Sequence, residues 1–303
     1  MTARLVCRGR SISIDRPLVM GIVNATPDSF SDGGVDRDTD ARVERALGLV
    51  AAGAAVLDVG GQSAITGVPE ISDQEEIDRV APVLEGIRRE TNCLVSIDTY
   101  KPAVAKVAID LGADIINDIS GVMHPALAEI AVRARVGFVV MHTRFRPKYK
   151  EDARHLYDAS PGGVVGDVLS FLDERVAALA ALGMPREQIV LDPGPDFAKT
   201  PAQTIAVLRA LPELVARGRP VLLALSRKDF IGALTGRAPR ERLAGTLASV
   251  AATTALAPSS ILRVHDVAEV REFLTVLDAL EGRVPIDPDL RLPDAIKWQG
   301  PKK

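Results

Sequence analysis

Short apolar runs separated by longer amphipathic stretches make up most of this chain. The runs Pro17-Leu18-Val19-Met20-Gly21-Ile22-Val23, Ala55-Val56-Leu57, Leu94-Val95-Ser96-Ile97, Ile115-Ile116, Phe138-Val139-Val140-Met141, Ile189-Val190-Leu191, Val221-Leu222-Leu223-Ala224-Leu225 and Ile261-Leu262-Arg263-Val264 are short and strand-like. They predict eight strands. Between them, residues 40–52, 75–90, 102–111, 125–135, 165–182, 201–216, 240–255 and 266–280 repeat apolar positions at helical spacing. Strict alternation of strand and helix predicts the α/β class and a parallel sheet, with a closed (β/α)8 TIM barrel as the leading arrangement. A doubly wound open sheet would use the same elements, but no G-x-G-x-x-G follows the first strand.

Two segments stand outside the alternation. Residues 5–16 place Leu5, Cys7, Ile12 and Ile14 around Arg8-Gly9-Arg10, which predicts a short N-terminal β-hairpin. From Val284 the chain carries Pro285, Pro288, Pro293, Pro301 and the lone Trp298, the composition of an irregular tail. No linker-like shift interrupts residues 17–283, so residues 1–303 are expected to form one domain.

Charge and cysteine content narrow the partners. With 37 Lys plus Arg against 40 Asp plus Glu, the net charge of -3 gives no pull toward nucleic acid or a membrane surface. Cys7 and Cys93 are the only cysteines and lie in no metal-binding spacing, which fits a reducing compartment. No signal-peptide core and no run of eighteen apolar residues are present, so a soluble, cytoplasmic protein is expected.

Candidate chemistry gathers where each strand ends. The ends read Asn24; Asp58-Val59-Gly60-Gly61-Gln62-Ser63; Asp98-Thr99; Asn117-Asp118; Met141-His142; Asp192-Pro193-Gly194; Ser226-Arg227-Lys228; and Arg263-Val264-His265-Asp266. In a barrel these ends share one mouth. Asp58, Asp118 or Asp266 taken alone reads as a helix N-cap, but Asp98, Asn117, Asp192 and Lys228 together suit a flat heterocycle rich in ring nitrogens. Lys228 is expected to pair with Asp98 or Asp192, because buried charges need partners. Asn24, Arg263 and His265, on strands that meet at the barrel closure, form a candidate anion or metal-phosphate site. His142 is read as a core or supporting residue as readily as a catalytic one, and His124 and His155 as surface residues. By composition the loop 24–34 is either a solvated turn or a functional loop.

The stretch Met20-Gly21-Ile22-Val23-Asn24-Ala25-Thr26-Pro27-Asp28-Ser29-Phe30-Ser31-Asp32-Gly33-Gly34, followed in order by Ser96-Ile97-Asp98-Thr99-Tyr100-Lys101, Gly112-Ala113-Asp114-Ile115-Ile116-Asn117-Asp118, Leu191-Asp192-Pro193-Gly194, Ser226-Arg227-Lys228 and Arg263-Val264-His265-Asp266, resembles the dihydropteroate synthase family. The resemblance implies that p-aminobenzoate displaces pyrophosphate from 6-hydroxymethyl-7,8-dihydropterin pyrophosphate. It implies that Asp98, Asn117, Asp192 and Lys228 hold the pterin, with Met141 and Phe197 packed near it. Asn24, Arg263 and His265 would take the pyrophosphate and its Mg2+, with Asn24 the metal ligand. Asp28, Thr26 and Phe30 would belong to a loop closing over the reacting methylene, with Ser226 toward the aminobenzoate. The family also implies a homodimer.

Three departures accompany these matches. After the second strand the family's Gly-Gly-Glu-Ser-Thr-Arg-Pro-Gly is here Gly60-Gly61-Gln62-Ser63-Ala64-Ile65-Thr66-Gly67, so an arginine is lost. Asp196 and Ala198 replace glycines around Phe197, and residues 142–148 are unusually basic. Arg144 or Arg146 could restore the charge, or this could be a solvated basic loop. The alternative to a working synthase is a divergent paralogue that uses another amine or binds a pterin without turnover; a pterin-dependent methyl carrier protein fits the motifs less well.

Overall fold

A computed structural model describes residues 3–26, 35–63, 67–149 and 152–297. The first two strands, β1 (Ala3–Cys7) and β2 (Arg10–Ile14), form the expected antiparallel hairpin. Its two-residue turn has Arg8 at φ 48° and Gly9 at φ 77°, the left-handed pair that matches strand twist in the tightest hairpins.

Eight further strands close into a parallel barrel. They are β3 (Leu18–Asn24), β4 (Val56–Gly60), β5 (Leu94–Asp98), β6 (Ile115–Asp118), β7 (Gly137–Met141), β8 (Ile189–Asp192), β9 (Val221–Leu223) and β10 (Ser260–Val264). Around the ring the order is β10-β3-β4-β5-β6-β7-β8-β9, with Leu262 facing Val19 at the closing seam. The missing polar alternation in the strands has a direct cause. Met20, Val56, Ile115, Val139, Val190 and Ile261 fill the barrel interior, while their neighbours, such as Val19, Leu57, Ile116, Val140, Leu191 and Leu262, pack outward against helices. Leu5, Cys7 and Ile14 of the hairpin join the interior cluster and plug the end of the barrel opposite the mouth.

The helices follow the strands as α1 (Val35–Ala51), α2 (Asp73–Glu90), α3 (Pro102–Asp110), α4 (Pro125–Ala134), α5 (Gly163–Ala181), α6 (Pro201–Arg209), α7 (Leu211–Val215), α8 (Asp229–Thr235), α9 (Leu243–Leu256) and α10 (Val267–Leu280). Their starts are written locally: Ser72 accepts from the Glu75 N–H, Thr200 and Gln203 make a reciprocal capping box, and α3, α4 and α6 open on proline. Gly86 of α2 lies against Val43 of α1, where a Cβ would stand 2.4 Å from Val43 Cγ2, so only glycine allows that helix contact. Two departures from the expected eight helices are explained by length and proline. The stretch 201–216 divides into α6 and α7 just before Pro212, which can neither donate a backbone hydrogen bond nor fit the preceding turn. Helix α8, seven residues long, is too short to show a period. The tail is irregular as expected through Lys297, apart from a single 3-10 turn at Asp294–Ile296; Trp298 lies outside the described residues.

Candidate active site

Inward positions recur every second residue of a strand, so the residue two beyond an interior plug faces the mouth. Asp58 follows Val56, Asn117 follows Ile115, Asp192 follows Val190 and Arg263 follows Ile261. They meet. Arg263 Nε donates to Asp58 Oδ2 at 2.6 Å and Nη2 to Asp98 Oδ2 at 2.7 Å, and Asn117 Nδ2 donates to the same Asp58 oxygen at 3.2 Å. Among the described residues, the buried Asp58 Oδ1 and Asn117 Oδ1 have no hydrogen-bond partner. Such orphaned acceptors each cost about 1–3 kcal/mol until a donor reaches them.

Two carboxylates share one guanidinium here, which leaves one buried negative charge uncompensated. Burial, aided by the Asp58 charge and opposed by Arg263, pushes Asp98 up to about 7. Burial likewise raises Asp192 to about 6 against the Gly194 N–H, which donates to Asp192 Oδ1 at 2.7 Å, and against the charge of Lys228. Despite the cost of its own burial, Arg263 is held above its ordinary value by Asp58 and Asp98.

The other wall is the turn after β8. Phe197 lines the cavity, and Lys228 Nζ lies 4.5 Å from the centre of its ring. The expected pairing of Lys228 with Asp98 or Asp192 is therefore not formed: Arg263 occupies Asp98, and Lys228 rests on Phe197. Burial lowers the Lys228 ammonium, with Asp196 and Asp192 opposing. Both non-glycine residues flanking Phe197 are left-handed, Asp196 at φ 66° and Ala198 at φ 50°. Asp196 Oδ2 accepts from the Asp229 N–H at 2.6 Å and the Phe230 N–H at 3.4 Å, capping α8 immediately after Lys228. Arg242 fixes the same turn through the carbonyls of Arg227 and Lys228.

Beneath this wall lies a buried network. Lys199 Nζ sits 2.8 Å from His142 Nδ1 and donates to the Gly194 and Phe197 carbonyls, both at 3.0 Å. His142 Nε2 lies 2.9 Å from Asp167, which also takes both arms of Arg144. Burial, helped by Lys199, lowers His142 to about 4, so it is a neutral supporting ring. Arg144 is committed to Asp167. Met141 is buried under the Gly194 turn, where a Cβ on Gly194 would stand 3.2 Å from Met141 Cγ and 2.2 Å from the His142 carbonyl oxygen. Gly194, at φ 63°, therefore meets both conditions that exclude a side chain.

Beyond the ends of β9 and β10, Ser226 Oγ and His265 Nδ1 are 2.9 Å apart. Burial, then Arg227 and Arg263, lowers His265 to about 4, so it is uncharged near neutrality. Asn24 is exposed at the tip of β3, and the Thr26 carbonyl accepts from Arg42 at 2.9 Å. Asp28 and Phe30 lie outside the described residues, as do Ala64, Ile65 and Thr66. Arg263, assigned to the phosphate side by its strand position, instead reaches into the acceptor-lined floor. His124 and His155 are exposed, as expected.

The cavity above the floor measures about 930 Å³ and is lined by Asp98, Phe197 and Lys228 together with Gln62, Tyr100 and Lys148 from the loops. Gln62 Oε1 accepts from the Ile71 N–H at 2.9 Å, and its Nε2 donates to Tyr100 Oη at 2.7 Å, so this residue braces the loop after β4. Lys101 forms a 3.0 Å ion pair with buried Glu76 behind it. Asp58 and Lys199 were not singled out for the site by the sequence reading. Period-two counting from Val56 would have placed Asp58 inside; nothing local in the sequence marks Lys199.

Residues 20–265 match the family described as pterin binding enzyme, which makes this mouth that of a pterin-binding barrel. The dihydropteroate synthase of Synechocystis is 39% identical over 88% of this chain and 90% of its own length. Dihydropteroate synthase from Xanthomonas albilineans, solved in complex with 7,8-dihydropteroate, superposes with a TM-score of 0.80 at 41% identity, covering 93% of this chain and 100% of that one. The chain belongs to the dihydropteroate synthase family. That family also holds an inactive dihydropteroate synthase 2 from Mycobacterium leprae, 38% identical over 91% of this chain and 95% of its own.

Proposed function

We propose that this protein is a transferase that joins p-aminobenzoate to 6-hydroxymethyl-7,8-dihydropterin pyrophosphate, giving 7,8-dihydropteroate and pyrophosphate. The observation that carries this reading is the pair of buried, unpartnered acceptors, Asp58 Oδ1 and Asn117 Oδ1, beside Asp98 and Asp192. A pterin edge supplies several N–H donors to such a floor, and Phe197 with Lys228 supplies a flat wall for its ring. In the reaction the aryl amine nitrogen forms a bond to the pterin methylene carbon, the carbon–oxygen bond to pyrophosphate breaks, and the amine loses a proton. In this reading Asn24 and His265 meet the charge that the departing pyrophosphate gathers, His265 as a neutral hydrogen-bonding group, while Arg263 is engaged with Asp58 and Asp98 on the floor. The family resemblance assigns Ser226 to the aminobenzoate side, and Thr26, Asp28 and Phe30 to a loop that would exclude water.

Asn24 presents a hard amide oxygen at the mouth, and no cluster of three metal-binding side chains occurs among the described residues, a donor set that fits Mg2+ carried chiefly by the substrate's phosphates. Bound there, the ion would neutralise charge on the leaving group. The same reading takes residues 1–303 as one domain, working in the cytoplasm as a homodimer. The free cysteines fit a reducing compartment.

A second reading is favoured by two observations: the loop after β4 lacks the arginine of the family motif, and a relative as similar as the active ones is inactive. In that case the protein binds the pterin and joins a different amine, or none. Following pyrophosphate release with p-aminobenzoate, beside calorimetric pterin binding, separates the two. Binding without release would overturn the synthase reading.

A further inference from the structure

The ladder between β9 and β10 ends at Leu223 and Leu262, so the residues beyond it stand on two separate loops. Ser226 and His265 meet nonetheless: besides the contact of Oγ with Nδ1, the His265 N–H donates to Ser226 Oγ at 3.3 Å. One residue farther along each loop, Arg227 and Asp266 form a two-point ion pair, Nη2 donating to Oδ1 at 2.5 Å and Nε to Oδ2 at 3.2 Å. The two side chains are 30% and 15% exposed, which shields the pair from water and makes it stronger than a surface ion pair.

Two local costs accompany this pair. Arg227 stands at φ 58°, in the left-handed region that a residue with a side chain keeps only when its surroundings hold it there. Its N–H donates to Oγ1 of the buried Thr246 at 3.0 Å, and its carbonyl accepts from Arg242 Nη1 at 2.9 Å. Asp266 takes the N-cap position of α10, as its place in the sequence predicts, yet its side chain makes no capping hydrogen bond. Both of its oxygens face Arg227 instead. Residues that forgo the local role their type favours mark places where function overrides local preference.

The left-handed turn sends the neighbours of Arg227 to different partners, Ser226 to His265 and Lys228 to the ring of Phe197. Lys228 has supports of its own, because Arg242 also donates to its carbonyl at 3.2 Å and Asp196 caps the helix directly after it. The Arg227–Asp266 pair therefore ties the Ser226 loop to the His265 loop without being needed for the wall beside Phe197.

We infer that Arg227 and Asp266 are positioning residues, whose ion pair keeps the loop after β9 in register with the loop after β10 and so fixes Ser226, assigned to the aminobenzoate side, against His265, assigned to the pyrophosphate side. This rests on the transferase reading above. Bond formation to the amine and departure of pyrophosphate occur at one methylene carbon, so a shift of one loop against the other costs turnover even where the pterin still binds.

The test uses full-length protein and compares Asp266→Ser, Arg227→Met, the two combined, and Asp266→Glu. Serine offers α10 a capping hydroxyl but gives Arg227 no counter-charge, so Asp266→Ser should unfold at nearly the wild-type urea concentration while kcat/KM for p-aminobenzoate falls roughly tenfold to a hundredfold. The calorimetric Kd for pterin pyrophosphate should stay within about twofold, and the double variant should lose no more than either single one. Asp266→Glu keeps the charge and should restore most of the loss. Arg227→Met repeats the comparison should the serine variant not fold. Turnover that persists would leave the pair a brace of the fold, losses that multiply in the double variant would give the two residues separate roles, and a loss on Arg227→Met far beyond that on Asp266→Ser would make Arg227 a direct ligand of substrate; each overturns the inference. If wild-type protein binds both substrates without turnover, the same loss is read from the Kd for p-aminobenzoate on pterin-loaded protein. If it binds no pterin pyrophosphate, or binds it and takes no p-aminobenzoate, the transferase reading falls and the inference with it.

Discussion

Replacing Asp196 by glycine pits two opposing effects against each other, and the structure says which is larger. Asp196 is left-handed at φ 66°, so glycine relieves about 1 kcal/mol of backbone cost. The same change removes the carboxylate that caps α8 through the Asp229 and Phe230 N–H groups, a loss of about 0.5–2 kcal/mol. It also removes the 3.1 Å hydrogen bond from Thr204 Oγ1 to Asp196 Oδ1, for about 1 kcal/mol more. The losses exceed the gain, and Asp196→Gly should destabilise the protein by about 0.5–2 kcal/mol. Ala198→Gly is the internal control: φ is 50° there and the methyl caps nothing, so relief stands alone and the protein should gain about 0.5–1 kcal/mol. Urea unfolding at neutral pH measures both. Because α8 begins directly after Lys228, Asp196→Gly should also weaken pterin binding, while Ala198→Gly should not. Stabilisation of both variants by a similar amount would refute the capping argument.

Further outcomes follow from the floor of the site. Arg263→Met leaves Asp58 and Asp98 buried without their cation and should cost about 3–5 kcal/mol at neutral pH, shrinking by up to about 1.4 kcal/mol per pH unit on acidification as the carboxylate pair takes up a proton; urea unfolding at two pH values checks it. Asp98 and Asp192 have folded values of about 7 and about 6, above the ordinary 3.8, so the folded protein holds extra protons between those limits. Their contribution to stability is fully present below about pH 4 and is lost as pH rises through about 6 and about 7, whereas pterin affinity should rise over the same window as the acceptors ionise. Melting curves and calorimetry across pH test both halves, and Asp98→Asn should flatten each curve. Lys199→Met breaks the link between His142 and the carbonyls of Gly194 and Phe197, and should raise the Kd for pterin at least tenfold through the displaced turn, as read by calorimetry.

The barrel was legible because its strands are buried on both faces and its helices on one, so the two kinds of element carry different apolar patterns. The residues of the floor were legible for the same reason, since position within a strand fixes direction. Their partners were not. Whether Arg263 reaches toward the seam or into the floor depends on its side-chain length and on Asp58, a residue distant in sequence that local chemistry presents as a helix cap. Lys228 resting on Phe197, and Lys199 beneath both, join residues from separate loops whose approach no local pattern encodes. The split at Pro212 was written in the sequence and outweighed by the apolar period on either side.

The closing seam between β3 and β10 joins segments from opposite ends of the chain, and β10 carries Arg263. A chain emerging from the ribosome has already made Asp58 and Asp98 when that arginine is still unsynthesised. Until it arrives, the two carboxylates have no cation, and the open sheet has two unpaired edges. The last strand therefore closes the hydrogen-bonded ring and brings the floor its arginine in one event. A chain truncated before Arg263 should leave the ring open and Asp58 and Asp98 without their cation.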